Sequence, residues 1–112
     1  MKTGLILEGG AMRGIFSAGV MDVMMENGIR FDGIIGVSAG AAFGVNYKSG
    51  QIGRAIRYNA NYCHDKRYCG LGSLLKTGNL FNTEFCYGEV PLKLDIFDFD
   101  AFEKDPTAFY IN

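Results

Sequence analysis

A serine stands between two glycines in Gly36-Val37-Ser38-Ala39-Gly40, directly after the apolar residues Ile34 and Ile35. The pattern G-x-S-x-G is typical of a nucleophile elbow, a tight strand-to-helix turn that holds the serine hydroxyl clear of the backbone. The flanking residues must be small because this turn is strained and other backbone passes close to it. The motif predicts that Ser38 is the nucleophile of a serine hydrolase. The alternative is an ordinary serine that caps the following helix.

A second run of small residues comes earlier, in Glu8-Gly9-Gly10-Ala11-Met12-Arg13-Gly14. Backbone N–H groups that converge beside a helix N-terminus bind an anion, either a phosphate or the oxyanion of an acyl-transfer intermediate. Arg13 opposes the dipole of the helix that follows. Two interpretations of Arg13 therefore remain open, a role in anion binding or loop bracing and a side chain that simply points to solvent. Met12 is a candidate for lining an acyl pocket.

The elements that position these motifs alternate between strand and helix. Strands are predicted at Thr3 to Glu8 and Ile34 to Val37, and the first has the continuous apolar run of a buried parallel strand. Helices are predicted at Ile15 to Asn27, Ala39 to Tyr47, Ile52 to Tyr62 and Phe99 to Lys104. This order is typical of a parallel α/β sheet with right-handed crossovers. Both motifs then lie at the carboxyl edge of the sheet, where such folds place their sites.

The first predicted helix is amphipathic, with two adjacent apolar stripes formed by Ile15, Gly19 and Val23 and by Phe16, Val20 and Met24. The segment 63–88 breaks into short pieces that contain Gly and Asn, which predicts a long surface insertion or lid. A turn and a strand are predicted from Pro106 to Asn112.

Composition excludes several classes of protein. A net charge of −1 gives no electrostatic basis for binding nucleic acid. No apolar run reaches the roughly 18 residues of a transmembrane helix, and 3 cysteines do not make a disulfide framework, so a cytoplasmic location is expected. Cys63, His64 and Cys69 lack the spacing of a metal site, with Cys86 as the one further thiol. We therefore predict neither a metal nor a cofactor.

Taken in order, Gly9 to Gly14, then Ala18-Gly19-Val20, then Gly36 to Gly40 resemble the patatin-like phospholipases. The resemblance runs from Thr3 to about Tyr62 and continues more weakly through Leu80-Phe81-Asn82 and Asp105-Pro106. It implies a three-layer α/β/α sandwich with a mainly parallel sheet and a lipid or acyl-ester substrate. It also implies a Ser–Asp dyad with Ser38 as nucleophile, and an oxyanion hole formed by backbone N–H groups of Gly9, Gly10, Ala11, Met12, Arg13 and Gly14.

The sequence departs from this family at two places. Ala11 stands where the family has a third glycine, and its Cβ is tolerated only if φ is negative. The family's aspartate lies in an Asp-Gly-Gly or Asp-Gly-Ala motif far downstream of the serine, whereas Asp32-Gly33 precedes it here by about 20 Å of strand. No base is therefore assigned. We expect residues 1–112 to be the N-terminal part of the domain, truncated before the aspartate, with negligible activity alone.

Three other interpretations remain open. The loop Gly9 to Gly14 partly matches the G-x-G-x-x-G of a nucleotide- or phosphate-binding module. The chain could instead be a catalytically inactive fragment that acts as a folding or interaction unit. Separately, exposed strands of an incomplete sheet would favour self-association. His64 could serve a Ser-His-Asp triad. The basic pairs Arg54/Arg57 and Lys66-Arg67 are interpreted as solvated faces, with transient contact to a membrane surface as the alternative.

Overall fold

Three parallel strands form the sheet of the computed structural model, which describes residues 1–62, 64–65, 75–76, 78 and 85–112. The strands are β1 (Gly4–Leu7), β2 (Gly33–Gly36) and β3 (Ala108–Ile111), in the order β1-β2-β3. The register pairs Leu7 with Gly36 and Gly36 with Ile111, so the carboxyl ends of all three strands are level. The predicted parallel α/β fold is confirmed.

Helices connect the strands. A 3₁₀ turn at Ala11–Arg13 leads into α1 (Gly14–Glu26), and the later helices are α2 (Ala39–Ser49), α3 (Arg54–Tyr62), a π-helix (Phe85–Leu94) and α4 (Phe99–Lys104). Each predicted helix or strand lies within two residues of its expected bounds. The described residues divide into two compact units, Met1–Ile56 with Asp98–Asn112, and Arg57–Phe97.

The buried face of α1 is not the face formed by the predicted apolar stripes. Gly14, Ala18 and Met21 are buried, whereas Phe16 is exposed. The small residues explain this choice, because a methyl group at Gly14 would lie 2.8 Å from Cε2 of Phe43 in α2. Close approach of the two helices therefore selects the Gly/Ala face over the larger apolar side chains.

Within the described residues, α2 covers one face of the sheet. Ile34 and Leu7 are buried on the face against which α2 packs. On the opposite face, Ile6, Ile35 and Tyr110 are exposed side by side, since the register pairs Ile6 with Ile35 and Ile35 with Tyr110. The continuous burial expected for the first strand is therefore wrong for Ile6, because successive strand residues point to opposite faces.

The interpretation of Arg54/Arg57 as a solvated face is wrong for Arg54, whereas Arg57 is exposed as expected. Arg54 is buried, and its Nη1 donates to Oδ1 of Asn46 at 2.8 Å. Arg57, in the other unit, donates through Nε and Nη2 to both carboxylate oxygens of Asp95 at 2.7 Å.

The predicted lid falls largely outside the described residues, as do Cys63, Cys69, Lys66-Arg67 and Leu80-Phe81-Asn82. Its last residues belong to the π-helix Phe85–Leu94, so the irregular structure expected there is wrong at this end. No helix within the described ranges has the length and apolar character needed to cross a membrane.

Candidate active site

The turn between β2 and α2 has the geometry of a nucleophile elbow. Ser38 has φ 52° and ψ −119°, and its side chain makes no capping hydrogen bond to α2. The helix begins through backbone bonds instead, with the N–H of Gly40 donating to Val37 O at 2.8 Å and that of Ala41 to Ser38 O at 3.0 Å. The Ser38 side chain is exposed. The helix-capping interpretation therefore has no hydrogen bond to support it.

The glycines on either side of Ser38 are fixed by backbone that passes close to them. A methyl group at Gly36 would lie 2.5 Å from Cα of Ala41. A methyl group at Gly40 would overlap the carbonyl oxygen of Leu7 and lie 2.7 Å from that of Glu8. The N–H of Val37 also donates to Leu7 O at 3.0 Å. The elbow is therefore locked against the end of β1, and only glycine fits at both positions.

The glycine loop after β1 lies beside Ser38. A methyl group at Gly9 would be 3.2 Å from Cβ of Ser38. A cavity of about 80 Å³ opens along the loop and is lined by Glu8, Gly9, Gly10, Arg13, Gly14 and Ser17. The two motifs thus meet at the carboxyl edge of the sheet, as the order of strands and helices predicts.

Not every N–H group of this loop can face an anion. The N–H of Arg13 donates to Gly10 O at 3.0 Å, and the N–H of Gly14 donates to Ala11 O. These bonds form the 3₁₀ turn and the start of α1. Gly9, Gly10, Ala11 and Met12 remain the candidate donors to an oxyanion.

Ala11 departs from its expected conformation. Its φ is 48°, in the left-handed region, so the expectation of a negative φ is wrong. Ala11 is the first residue of the 3₁₀ turn and follows Gly10, which has φ 167° and ψ 18°. The left-handed conformation costs a residue with a Cβ about 1–2 kcal/mol.

Arg13 folds back along its own loop. A methyl group at Gly10 would lie 3.6 Å from Cβ and 3.7 Å from Nε of Arg13. Arg13 is nevertheless exposed, so it follows the loop while in contact with solvent, and both interpretations of it stay predictions. Met12 is exposed and is not among the residues that line the cavity.

Asp32 is not placed to act as a base for Ser38. Asp32 lies at the amino edge of the sheet, where its Oδ2 accepts from Thr3 N at 2.7 Å. His64 is an exposed residue of the other unit. Within the described ranges, no three His, Cys, Asp or Glu side chains gather into a group that could hold a metal.

A polar cluster at the amino edge of the sheet was not anticipated from the sequence. Lys48 is 8% exposed, and its Nζ donates to the carbonyl oxygens of Phe102 at 2.5 Å and Asp105 at 2.6 Å. Arg30 forms an ion pair with the Asp105 carboxylate and donates to Tyr47 O at 3.0 Å. No spacing signal marks these residues, because they come from three separate segments of the chain.

The cluster shifts two pKa values. Burial raises the pKa of the Asp105 carboxyl, but hydrogen bonds from Thr107 and the charge of Arg30 outweigh it, so the pKa is lower than its ordinary value of 3.8. Burial raises the pKa of the Tyr47 phenol, and the charge of Arg30 opposes that rise only in part. Both of these groups lie away from Ser38.

Comparison with known proteins gives one family. The sequence profile of the patatin-like phospholipases matches residues 5–109. The uncharacterized protein YjjU of Escherichia coli strain K12 is 30% identical to this chain over 99 residues, which cover 84% of the chain and 28% of YjjU. The chain therefore spans less than a third of that relative's length. No solved structure gives a significant match.

Proposed function

Because this chain belongs to the patatin-like phospholipase family, we propose that it forms the nucleophile half of a serine hydrolase acting on the carboxylic esters of lipids. The observation that carries the proposal is the position of Ser38. Its hydroxyl-bearing side chain is exposed on a turn with φ 52°, beside a glycine loop that offers backbone donors. A strained residue that the surrounding backbone holds in place is typical of a catalytic position.

In the proposed reaction Ser38 Oγ attacks the carbonyl carbon of the ester. The new Oγ–C bond gives a tetrahedral intermediate, and the carbonyl oxygen becomes an oxyanion. When the C–O bond to the alcohol breaks, the proton taken from the serine passes to the departing oxygen. Water then adds to the acyl-enzyme, releases the fatty acid and restores the hydroxyl.

The oxyanion is stabilised by the loop after β1. We assign the donors to the N–H groups of Gly9, Gly10, Ala11 and Met12, because those of Arg13 and Gly14 already donate within the 3₁₀ turn. The loss of one such donor costs other hydrolases roughly 10²–10³ in rate. The backbone bond from Arg13 N to Gly10 O and the 3₁₀ turn fix the direction of these groups before substrate arrives.

The base of the dyad is proposed to be an aspartate of an Asp-Gly-Gly or Asp-Gly-Ala motif that follows Asn112 in the whole protein. The one Asp-Gly of this sequence, Asp32-Gly33, lies at the opposite edge of the sheet and binds Thr3. Removal of a member of a catalytic set lowers the rate by several orders of magnitude. The 112 residues alone are therefore expected to hydrolyse esters at close to the background rate.

A p-nitrophenyl butyrate assay tests the proposal on a longer chain that carries such an aspartate. Ser38→Ala should lower kcat at least 10³-fold, while Ser49→Ala, in α2 and hydrogen-bonded to Gln51, serves as the matched control that keeps activity. Activity that survives Ser38→Ala would exclude Ser38 as the nucleophile.

A nucleotide-binding module is the weaker candidate. The dinucleotide fingerprint places an acidic residue at the carboxyl end of the second strand. Here Asp32 precedes β2, and the residues after it form the elbow. No observation on the loop favours a nucleotide over an oxyanion.

A further inference from the structure

The glycine loop is in contact at both of its ends with the elbow and the helix that follows it. At the first glycine, a methyl group on Gly9 would lie 3.2 Å from Cβ of Ser38. At the last glycine, a methyl group on Gly14 would lie 2.8 Å from Cε2 of Phe43 and 3.4 Å from Cβ of Ala39. The candidate oxyanion donors therefore lie on a segment whose two ends rest against one continuous part of the chain.

The contact at Gly14 is made by a side chain and does not depend on unusual backbone. Gly14 has φ −61° and ψ −14°, right-handed helical values that any residue adopts. It is buried at the start of α1. The absence of a side chain at Gly14 is therefore explained by the space that the Phe43 ring occupies.

The Phe43 ring has little freedom to move aside. Phe43 is 5% exposed, and protein interiors are packed as densely as organic crystals. Carbon atoms in contact prefer a separation of about 3.5–4.0 Å. A methyl group at Gly14, at 2.8 Å from the ring, would therefore displace the loop or the ring by roughly 1 Å.

The helix that carries Phe43 is itself held against the sheet. A methyl group at Gly40 would overlap the carbonyl oxygen of Leu7, and one at Gly44 would lie 2.8 Å from Cδ1 of Leu7 and 3.2 Å from Cε2 of Phe109. Helix α2 thus packs closely on β1 and β3, and Phe43 projects from this fixed base toward the end of the glycine loop.

We infer that Phe43 is a positioning residue, which sets the distance between the glycine loop and Ser38 and thereby aligns the oxyanion donors with the ester that the serine attacks. This inference rests on the proposed hydrolase function. A misplacement of about 1 Å in an active site can cost 10²-fold in rate. Because the donors stabilise the oxyanion more than the ester carbonyl, the loss falls on kcat and leaves KM nearly unchanged.

An exchange of size between Gly14 and Phe43 tests the spacing. The assay uses p-nitrophenyl butyrate and the longer chain that carries the proposed aspartate. Gly14→Ala should lower kcat about 10- to 100-fold, with KM within about threefold of the parent. Phe43→Leu, which removes Cε2, should lower kcat about tenfold. The double variant should be more active than either single variant and return to within about threefold of the parent.

Two further glycines supply the controls. Gly19→Ala, on the same helix as Gly14, should keep kcat within about twofold, because its methyl group would make an ordinary contact at 3.9 Å from Ile56 Cδ1. Gly44→Ala should gain nothing from Phe43→Leu, because its methyl group would meet Leu7 instead. Circular dichroism melts establish which variants are folded at the assay temperature. If Gly14→Ala does not fold, a double variant no more active than Phe43→Leu overturns the inference.

A second measurement follows the loop without hydrolysis. With selective ¹⁵N-glycine labelling, the amide signals of Gly9 and Gly10 should move in Gly14→Ala and return toward the parent positions in the double variant. Signals that stay in place in Gly14→Ala would overturn the spacing. So would a kcat unchanged by Gly14→Ala, or losses that simply add in the double variant.

The spacing and the hydrolase proposal can fail separately. Ser38-dependent hydrolysis that Gly14→Ala leaves unchanged overturns the spacing alone. Glycine signals that move in Gly14→Ala and return in the double variant, in a chain with no Ser38-dependent hydrolysis, support the spacing by Phe43 and overturn the hydrolase.

Discussion

The two edges of the sheet are built in opposite ways. At the carboxyl edge, Ala11 and Ser38 have φ of 48° and 52°, in a region that is costly for residues with a Cβ. At the amino edge, Arg30, Lys48 and Asp105 are joined by an ion pair and hydrogen bonds to backbone carbonyls. One edge stores strain, and the other holds α2 and the chain before β3 in place.

The difference shows how a small fold tolerates a strained site. Helix α2 begins at the elbow and ends at Ser49, next to Lys48. A helix fixed at its far end by buried hydrogen bonds resists the rotation that would relax Ser38. The strain at the site therefore persists because the surrounding structure over-determines it. Substitutions that relieve strain at the carboxyl edge should therefore stabilise the fold, whereas those that add a clash there or remove a donor at the amino edge should destabilise it.

Gly40→Ala should give the largest change, a loss of roughly 3 kcal/mol in the free energy of unfolding. The new methyl group would overlap the carbonyl oxygens of Leu7 and Glu8, which are backbone and cannot move aside. Urea denaturation measures the loss. Gly19→Ala is the matched control, because a methyl group there would lie 3.9 Å from Ile56 Cδ1, an ordinary contact, and alanine favours a helix by up to about 1 kcal/mol. Equal effects at both glycines would show that the elbow is not locked.

Lys48→Met should cost about 2 kcal/mol at the opposite edge, since it leaves the carbonyl groups of Phe102 and Asp105 without their buried donor. The same denaturation measurement applies. Lys104→Met is the control, because Lys104 forms an exposed pair with Asp100 and should change stability by less than about 0.5 kcal/mol. If the Lys48→Met chain is as stable as the parent, the hydrogen bonds at the amino edge do not anchor α2.

Asp105→Asn should cost about 1 kcal/mol at pH 7 and change the acid response of the protein. Because the pKa of Asp105 is lower in the folded chain than its ordinary 3.8, the unfolded chain binds a proton more readily. The stabilisation that the Asp105 carboxylate gives to the folded chain is complete well above pH 3.8. It is lost as the pH falls through the lower pKa of the folded state. Urea midpoints below pH 5 should fall less steeply for Asp105→Asn than for the parent. Parallel curves would contradict this.

Ala11→Gly should give the smallest change and the opposite sign, a gain of about 0.5–1 kcal/mol. Glycine accepts a φ of 48° without the steric cost of a Cβ. Thermal denaturation measures the gain. Ala42→Gly, in the middle of α2, should instead lose about 1 kcal/mol. A loss at Ala11 as well would mean that its φ is not strained.

The sequence predicted that the two motifs meet at the carboxyl edge, and it gave no sign of the cluster at the amino edge. G-x-S-x-G and the glycine loop are local patterns in which nearby backbone demands small residues, as Gly36 and Gly40 show. The strand and helix order then brings both turns to one edge. Arg30, Lys48 and Asp105 meet only through the folded sheet, and no local spacing records that contact.

The buried face of α1 was misjudged for a related reason. Hydrophobicity favours Phe16 and Val20 as core residues, but the contact with α2 requires the small Gly14 and Ala18. Size at an interface between helices outweighed apolar area. Likewise, the positive φ of Ala11 depends on how the loop enters the 3₁₀ turn, which composition does not reveal.

Labelling with a fluorophosphonate tests the central claim, that the elbow holds Ser38 as a nucleophile facing the glycine loop. One phosphorus–oxygen bond forms as the phosphorus–fluorine bond breaks, and the base accepts the serine proton, so the label is applied to the longer chain that carries the proposed aspartate. Peptide mapping by mass spectrometry should place the adduct on Ser38, and Ser38→Ala should abolish it. An adduct on Ser17 or Ser49 that survives Ser38→Ala, or a folded chain that takes up no label, would contradict the account.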